Sequence, residues 1–282
     1  MRVSNLFYYP FKSARGIALS TAEIGLEGMA GDRRAMLVDP SGRFITQREL
    51  TYLARLVVTP GAKGYQLFMD GKGDVIVDLP DPPRRATITV WKSEVSAALA
   101  DDLTNETLSA WFGRPVRLVF FDEDAQRTAS STWAGEGTPV AFADGYQILV
   151  TTTGSLRALN DNMIANGEDP VGMERFRPNI VIDSDEPFAE DRWAAIEIGG
   201  IRLDLVKPCA RCIMTTQDQL TGSREVANPM PAMGRIRMSA DRRVPGPLFG
   251  WNATPRAEGS ITVGDTVAVV EERPEGWAIK QR

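Results

Sequence analysis

Short runs of β-forming, mostly hydrophobic residues separated by polar turns fill most of the first 92 residues and predict β-strands. The predicted strands cover residues 3–8, 19–24, 35–38, 56–59, 65–69, 75–78 and 87–90. Turn-forming residues such as Gly28, Gly31 and Gly61 separate these strands. Strands this short at this spacing are typical of a barrel or a curled sheet. A short helix is expected within 49–55.

The pattern changes between residues 93 and 113, where hydrophobic residues at helical spacing predict one helix. Ser93 can cap the start of this helix and Gly113 can end it. A strand is expected at 116–121. The polar, glycine-rich stretch 122–145 is long for a loop in a compact protein, and we expect it near the mouth of a functional site.

The second half of the chain again predicts strands with few helices. A strong strand at 148–153 runs into a helical pattern, so Thr153 or Ser155 can cap a helix whose free N–H groups form a seat for an anion. A hairpin is expected at 193–206 with its turn at Gly199 and Gly200. A final pair of strands at 261–270 is expected to close a barrel.

These elements predict a mostly β protein with a few helices, of the α+β class. We expect an N-terminal β subdomain at 1–92, a helical and strand connection at 93–121, a β-barrel domain at 122–275 and a polar, loose tail at 276–282. The functional cleft is expected where the two β-rich parts meet.

Composition narrows the possible functions. The 282 residues carry a formal net charge of -5, so the backbone of a nucleic acid is not an expected partner. The sequence contains no histidine, which excludes catalysis by Ser-His-Asp or Cys-His groups. No apolar run approaches the length of a membrane span, no leader is recognised before the first strand, and two cysteines fit a reducing compartment, so we expect a cytoplasmic protein.

Both cysteines lie in one segment, from Lys207 to Asp218, that follows a predicted strand. The preceding strand is expected to cover 201–206, Pro208 is expected to forbid ladder pairing at its own nitrogen, and residues 213–216 are expected to form another strand. Four readings of the cysteines stay open: a zinc site completed by carboxylates, a redox dithiol, two buried small hydrophobes, and one thiolate bound to a transition metal whose other ligands come from a cofactor.

The segment Lys-Pro-Cys-Ala-Arg-Cys-Ile-Met-Thr-Thr-Gln-Asp, followed by Thr221-Gly222, closely resembles the signature of MOSC-domain proteins. Within that family it is most similar to the mitochondrial amidoxime-reducing components and the bacterial YcbX-like reductases. Agreeing motifs are Tyr9–Gly16, Gly31–Arg34, Arg175–Asn179 and Pro247–Asn252, although Asn252 stands where the family often has an aromatic residue. The fold implied is a MOSC-type β-barrel with a fused N-terminal β subdomain.

The resemblance also implies roles for individual residues. Cys212 matches the cysteine that binds molybdenum, and Arg211 and Asp218 are expected to orient ligands or move protons. The residues expected to bind the molybdenum cofactor, including its pterin and phosphate, are Lys12, Ser13, Arg33, Thr153, Ser155, Arg177, Asn179, Arg211 and Cys212. Thr46, Gln47 and Arg48 are weaker candidates for the same rim.

The activity implied is reduction of N-hydroxylated compounds, such as hydroxylamines, amidoximes and N-hydroxylated bases. No iron–sulfur domain is recognised after the last strand, so electrons are expected from a separate ferredoxin-like protein or flavin reductase. Pyridoxal phosphate binding and a role in detoxification are further expectations of the resemblance. A non-catalytic cofactor carrier, a sulfur-transfer protein and a dithiol oxidoreductase remain the competing functions.

Overall fold

The computed structural model describes residues 1–280 and is built mainly of strands. The strands are β1 (Arg2–Tyr8), β2 (Ile17–Leu19), β3 (Thr21–Gly25), β4 (Gly28–Met29), β5 (Ala35–Val38), β6 (Val57–Pro60), β7 (Gly64–Met69), β8 (Gly73–Asp78), β9 (Arg84–Val90), β10 (Ser93–Leu99), β11 (Arg117–Phe120), β12 (Ile148–Thr152), β13 (Ile180–Asp183), β14 (Trp193–Ile198), β15 (Ile201–Ala210), β16 (Leu248–Pro255), β17 (Gly259–Thr262) and β18 (Val267–Glu272). The α-helices are α1 (Asp102–Phe112), α2 (Ser131–Ala134), α3 (Thr153–Ala165) and α4 (Met230–Ile236). Single 3₁₀ turns cover Thr51–Arg55, Met173–Phe176, Ala189–Asp191 and Ile213–Thr216. The expectation of a mostly β protein with a few helices is confirmed.

An eight-stranded sheet dominates the fold, in the order β18-β14-β15-β16-β12-β13-β1-β2. Within it, β12 and β13 run parallel, and the other neighbouring strands are antiparallel. The first strand of the chain therefore lies among strands from the second half, where Val3 and Leu6 are buried in the same core as Ile180 and Trp251.

Three smaller sheets complete the fold, in the orders β5-β11-β10-β9, β17-β3-β4 and β6-β7-β8. The first and third enclose a second core, which includes Phe11, Leu37, Leu67 and Leu118. Phe11 lies three residues after the end of β1 and forms a bridge with Ala35 at the start of β5. The chain between β1 and β5 thus links the large sheet to the N-terminal core.

The helix expected at 93–113 is shorter than predicted, because residues 93–99 form β10. Val95 and Ala97 are buried while Glu94 and Ser96 are exposed, which is the alternation of a strand rather than a helical stripe. Ser93 is therefore not the cap of α1. The N-cap of α1 is Asp101, which accepts a hydrogen bond from the Thr104 amide at 2.7 Å. Gly113 ends the helix as expected, at φ 66°.

Two expectations around the cysteine segment are wrong. Strand β15 does not end at Val206 but continues to Ala210 with irregular register, pairing Pro208 with Trp251 and Ala210 with Leu248. Residues 213–216 form a 3₁₀ turn instead of a strand, since the Thr215 amide bonds back to the Cys212 carbonyl at 3.2 Å. The hairpin of β14 and β15 is confirmed.

The last strands and the tail also differ from expectation. β17 and β18 do not pair with each other, because β17 pairs with β3 and β18 pairs with β14. Residues 276–280 are not loose, since the Lys280 amide bonds to the Met238 carbonyl and Trp277 packs on the buried Trp251. The rest of the predicted tail, residues 281 and 282, lies outside the described residues. Among residues 1–280, none of the helices combines the length and apolar character needed to cross a bilayer.

Candidate functional site

A cleft of about 170 Å³ lies where loops from both halves of the chain meet. We refer to it as the cationic cleft. It is lined by Lys12, Ser13, Arg33, Arg48, Ala143, Asp144, Gly145, Tyr146, Leu149, Arg175, Phe176, Arg177, Asn179, Cys209, Ala210, Arg211, Cys212, Met214 and Asn252. Six of these side chains are cations and one is a carboxylate. This balance favours an anionic ligand, in contrast to the net negative charge of the whole chain.

The turn after β1 brings Lys12 and Ser13 to the cleft because the residues on either side are held in the N-terminal core. Phe11 and Ala14 are fully buried, and the Ala14 amide donates to the Phe11 carbonyl. Lys12 donates through Nζ to Asp144 Oδ1 at 2.5 Å and to the Phe142 carbonyl at 2.7 Å. Burial lowers the pKa of Lys12 to about 8, although Asp144 opposes the change.

Asp144 is the carboxylate of the cleft, and Lys12 and Arg48 both bind it. The second contact, from Arg48 Nη2 to Asp144 Oδ2, is 3.0 Å long. Desolvation would raise the pKa of Asp144, but the charges of Lys12 and Arg48 overcome it and hold that pKa far below its ordinary value. The carboxylate is therefore ionised at neutral pH.

Arg33 and Arg177 both pack against the ring of one buried tyrosine, Tyr9. Their Cζ atoms lie 4.4 and 4.2 Å from the ring centroid of Tyr9. Burial raises the pKa of Tyr9 to about 12 and lowers that of Arg177 to about 10. Both groups keep their protons at neutral pH, so the neutral tyrosine ring contacts two cations.

Three residues of the cleft have left-handed backbone conformations that are uncommon outside glycine. Ser13 has φ 67°, Arg33 has φ 50° and Arg177 has φ 54°. Such conformations cost roughly 1–3 kcal/mol each and tend to cluster at functional sites. All three residues line the same cleft, so backbone strain is concentrated where these side chains are held at the site.

Asn179 also lines the cleft, but its side-chain amide is occupied by the protein. Its Oδ1 atom accepts from the Leu149 amide and from Arg33 Nη1, both at 3.1 Å. Its Nδ2 atom donates to the Phe7 carbonyl and to Asp32. Asn179 therefore joins β1, β12 and β13 and orients Arg33, a role that the sequence-based expectation did not include.

The cysteine segment contributes two thiols with different neighbours. Cys212 Sγ lies 3.5 Å from Arg48 Nη2, while Cys209 Sγ lies 2.9 Å from Arg211 Nη1. Both cysteines are partly exposed. The Arg211 guanidinium also donates to the Phe176 carbonyl, and its buried Nε atom has no partner among residues 1–280.

Three residues predicted for the site lie away from the cleft. Ser155 is fully buried, and its hydroxyl donates to the Glu190 carboxylate at 2.7 Å. Thr153 bonds to Asp183 at 2.8 Å, and the cap of α3 is Thr152 rather than Thr153 or Ser155. Asp218 accepts from the amides of Leu220 and Thr221 and so closes its own turn.

The structure brings together seven of the predicted residues: Lys12, Ser13, Arg33, Arg177, Asn179, Arg211 and Cys212. Arg48, a weaker sequence candidate, makes the contact with Cys212. Asp144, Tyr146 and Arg175 were missed. In the sequence, Asp144 lies in the polar loop at 122–145, Tyr146 directly follows it, and Arg175 begins an Arg-Phe-Arg motif. These positions were the only local indications that the three residues belong to the site.

Comparison with known proteins identifies two adjoining domains. Residues 1–115 match the MOSC N-terminal beta barrel domain, and residues 137–268 match the MOSC domain. The cleft is thus lined by residues of both matched regions.

Curated relatives match most of the chain. Mitochondrial amidoxime-reducing component 1 from Xenopus laevis is 29% identical over 94% of this chain and 81% of its own length. The Homo sapiens protein of that name is 28% identical over 94% of this chain and 82% of its own length. Human molybdenum cofactor sulfurase is 27% identical over 79% of this chain but only 27% of its own length.

The names of these three relatives do not support pyridoxal phosphate binding, detoxification or a cytoplasmic location, and two of them name the mitochondrion. One of them names the molybdenum cofactor, which supports an association of the chain with that cofactor. The chain therefore belongs to the MOSC-domain family, with a MOSC N-terminal beta barrel domain joined to a MOSC domain, and is similar to the mitochondrial amidoxime-reducing components.

Proposed function

We propose that this protein is a molybdenum-cofactor-dependent reductase of N-hydroxylated compounds that receives electrons from a separate donor protein. The observation that carries the proposal is that the Cys212 thiol shares one cleft with Lys12, Arg33 and Arg177. Soft sulfur donors suit transition metals, and lysine and arginine suit phosphate. Relatives named for amidoxime reduction support the substrate class.

The residues of the cleft fit a phosphorylated, metal-carrying cofactor. Six cations and a single carboxylate line the cleft, the Arg211 Nε atom is buried without a partner among the described residues, and three side chains are presented from strained backbone. Lys12, Arg33 and Arg177 would hold the phosphate and pterin, and Cys212 would bind the metal. When bound, the cofactor would supply two-electron reduction of an N–O bond, which also consumes two protons and releases water.

The chain itself must then bind, orient and supply protons without histidine. Burial lowers the pKa of Lys12 to about 8, so its Nζ atom can hold and return a proton beside Asp144. Arg48 contacts both Asp144 and Cys212 and fixes the two groups relative to each other. Asp218 is assigned no proton transfer in this proposal, because its carboxylate closes the 218–221 turn outside the cleft.

Metal content of protein produced with molybdate tests the proposal directly. We expect the wild type to retain molybdenum, Cys212→Ala to lose it, and the matched Cys209→Ala control to keep most of it. In an anaerobic assay with a chemical reductant and benzamidoxime, activity should follow the molybdenum content. Equal effects of the two cysteine variants would favour a dithiol mechanism instead.

Two outcomes would support other functions. Full molybdenum loading without reduction of benzamidoxime or phenylhydroxylamine would indicate a cofactor carrier. A persulfide on Cys212, seen by mass spectrometry of protein without molybdenum, would indicate sulfur transfer, which the relative named molybdenum cofactor sulfurase favours as the second candidate.

A further inference from the structure

A second cavity, of about 360 Å³, lies behind the cationic cleft. We refer to it as the aromatic pocket. It is lined by Tyr8, Pro10, Ala30, Gly31, Arg34, Pro60, Gly61, Lys63, Gly64, Tyr65, Leu79, Phe120, Phe121 and Asp122. Most of this lining is apolar, with a few polar groups among four aromatic rings, which is the usual character of a small-molecule site.

The aromatic wall consists of rings held at fixed distances. Tyr65 stacks on Phe120 with 6.1 Å between ring centroids and 9° between ring planes. Phe120 and Phe121 are buried, and the Cζ atom of Arg34 lies 5.5 Å from the ring of Phe121. A flat ring entering the pocket would therefore meet surfaces already ordered by packing.

Polar groups converge on the same space. Burial raises the pKa of Tyr65 to about 12, and Tyr8 adds to the rise while Arg34 opposes it, so these three groups lie near one another. The tyrosine hydroxyls remain protonated at neutral pH and can donate hydrogen bonds.

The residues that line the pocket include two cations, Arg34 and Lys63, and one carboxylate, Asp122. Asp122 is bound by Arg85 at 2.5 Å, and Arg34 is bound by Glu27. Lys63, exposed at the rim, has no carboxylate partner within residues 1–280. Its ammonium group is thus available to an incoming anion.

The two cavities are separated by a single layer of chain. Tyr8 and Arg34 border the aromatic pocket, whereas their neighbours Tyr9 and Arg33 pack at the cationic cleft. The Arg34 amide donates to the Pro10 carbonyl and the Arg33 amide to the Tyr9 carbonyl, which fixes this layer. The pocket is therefore distinct from the cleft although it adjoins it.

We propose that the aromatic pocket binds a small planar aromatic anion, with its ring against Tyr65 and Phe120 and its acidic group toward Arg34 and Lys63. This site goes beyond the proposed reductase function and does not depend on it. The aromatic wall selects a flat ring, and the cations and tyrosine donors select a carboxylate or a similar anion.

Calorimetric titration of the full chain with benzoate tests the inference, beside cyclohexanecarboxylate and benzamide as probes that lack the flat ring or the charge. We expect saturable benzoate binding and at least about tenfold weaker binding of both other probes, since each loses one of the two sets of contacts. Lys63→Gln should weaken benzoate binding about threefold, as an exposed ion pair allows. Lys72→Gln, an exposed lysine on the β7–β8 turn away from the pocket, is the matched control and should not change it.

Tyr65→Leu removes the stacking ring and should weaken benzoate binding by roughly tenfold. Lys63 is exposed, so Lys63→Gln should fold normally and can still test the proposal if Tyr65→Leu does not fold. Absence of saturable benzoate binding, equal affinity for the three probes, or equal affinity of the Lys63→Gln and Lys72→Gln variants would each overturn the proposal. The benzoate titration measures neither molybdenum content nor reductase activity. A negative result would therefore overturn the aromatic-pocket proposal without bearing on the proposed reductase function.

Discussion

The guanidinium of Arg48 lies 3.5 Å from the Cys212 sulfur, and this contact joins the two domains at the cleft. Arg48 belongs to the region matching the MOSC N-terminal beta barrel domain, and Cys212 belongs to the MOSC domain. The same nitrogen of Arg48 bonds to Asp144, and its Cζ atom lies 5.0 Å from the ring of Trp91. The candidate metal ligand is thus oriented from a domain other than its own.

Replacing Arg48 with Gln should loosen the cleft without unfolding the protein. We expect at least about a tenfold loss of affinity for the molybdenum cofactor, because a hydrogen bond to a charged group contributes roughly 1.5–3 kcal/mol. The measurement is molybdenum content after dialysis at several salt concentrations. Arg43→Gln is the control, since Arg43 is an exposed arginine paired with Glu49 on the surface. Identical molybdenum retention in the two variants would contradict the role of Arg48.

Lys12 should make the free energy of unfolding rise with pH above about 8. Its folded pKa of about 8 lies below the ordinary value of 10.5, so between these values the unfolded chain binds the extra proton. Relative to Lys12→Met, the wild type should gain about 1.4 kcal/mol per pH unit in that window. Below pH 8 the difference should be constant.

Urea denaturation of the wild type and Lys12→Met from pH 7 to pH 10 measures this difference directly. Tyrosine ionisation affects both proteins alike and cancels in the comparison. Parallel stability curves across the whole range would show that Lys12 keeps an ordinary pKa in the folded protein.

Ser155→Ala should destabilise the fold but leave the cationic cleft intact. The Ser155 hydroxyl donates to the buried Glu190 carboxylate, whose pKa burial raises, and Thr152 donates to the same group at 3.1 Å. Loss of one buried hydrogen bond should cost roughly 1–3 kcal/mol in the free energy of unfolding. Molybdenum per folded chain should stay unchanged. A variant with normal stability and lost molybdenum would instead restore the sequence-based expectation that Ser155 contacts the cofactor.

Gly250→Ala should be one of the more damaging small substitutions in the large sheet. Gly250 has φ 75°, and an added Cβ would lie 2.7 Å from both the Val150 carbonyl oxygen and Thr151 Cγ2. We expect a loss of roughly 3 kcal/mol or more, combining backbone strain with overlap between β16 and β12.

Gly71→Ala separates the two contributions to that loss. Gly71 has nearly the same φ, 74°, but an added Cβ would meet nothing within 4 Å among the described residues. It should cost only about 1–2 kcal/mol, from the left-handed conformation alone. Equal unfolding midpoints in urea for the two variants would show that the close approach at Gly250 is relieved by movement.

The sequence alone was informative wherever the determining interaction is local. Alternating burial in β3 and β7 and the glycine end of α1 follow from short-range periodicity and backbone preference. It misled at residues 93–99, where small residues such as Ala97 and Ala98 fit a helix or a strand equally well. The neighbouring β9 and β11 decided the outcome, and no local pattern encodes a partner strand.

For the site, the motifs identified which residues carry chemistry, but only the tertiary structure decided which of them meet. Lys12, Arg33, Arg177 and Cys212 are spread over 201 positions of the chain and converge because β1 inserts beside β13 while β15 ends nearby. Ser155 belonged to an equally suggestive motif, yet packing turned it toward Glu190. Residue type fixes what a side chain can do. Long-range strand pairing fixes where it lies, because the free energy of burying two cores is shared over the whole chain rather than encoded in any one segment.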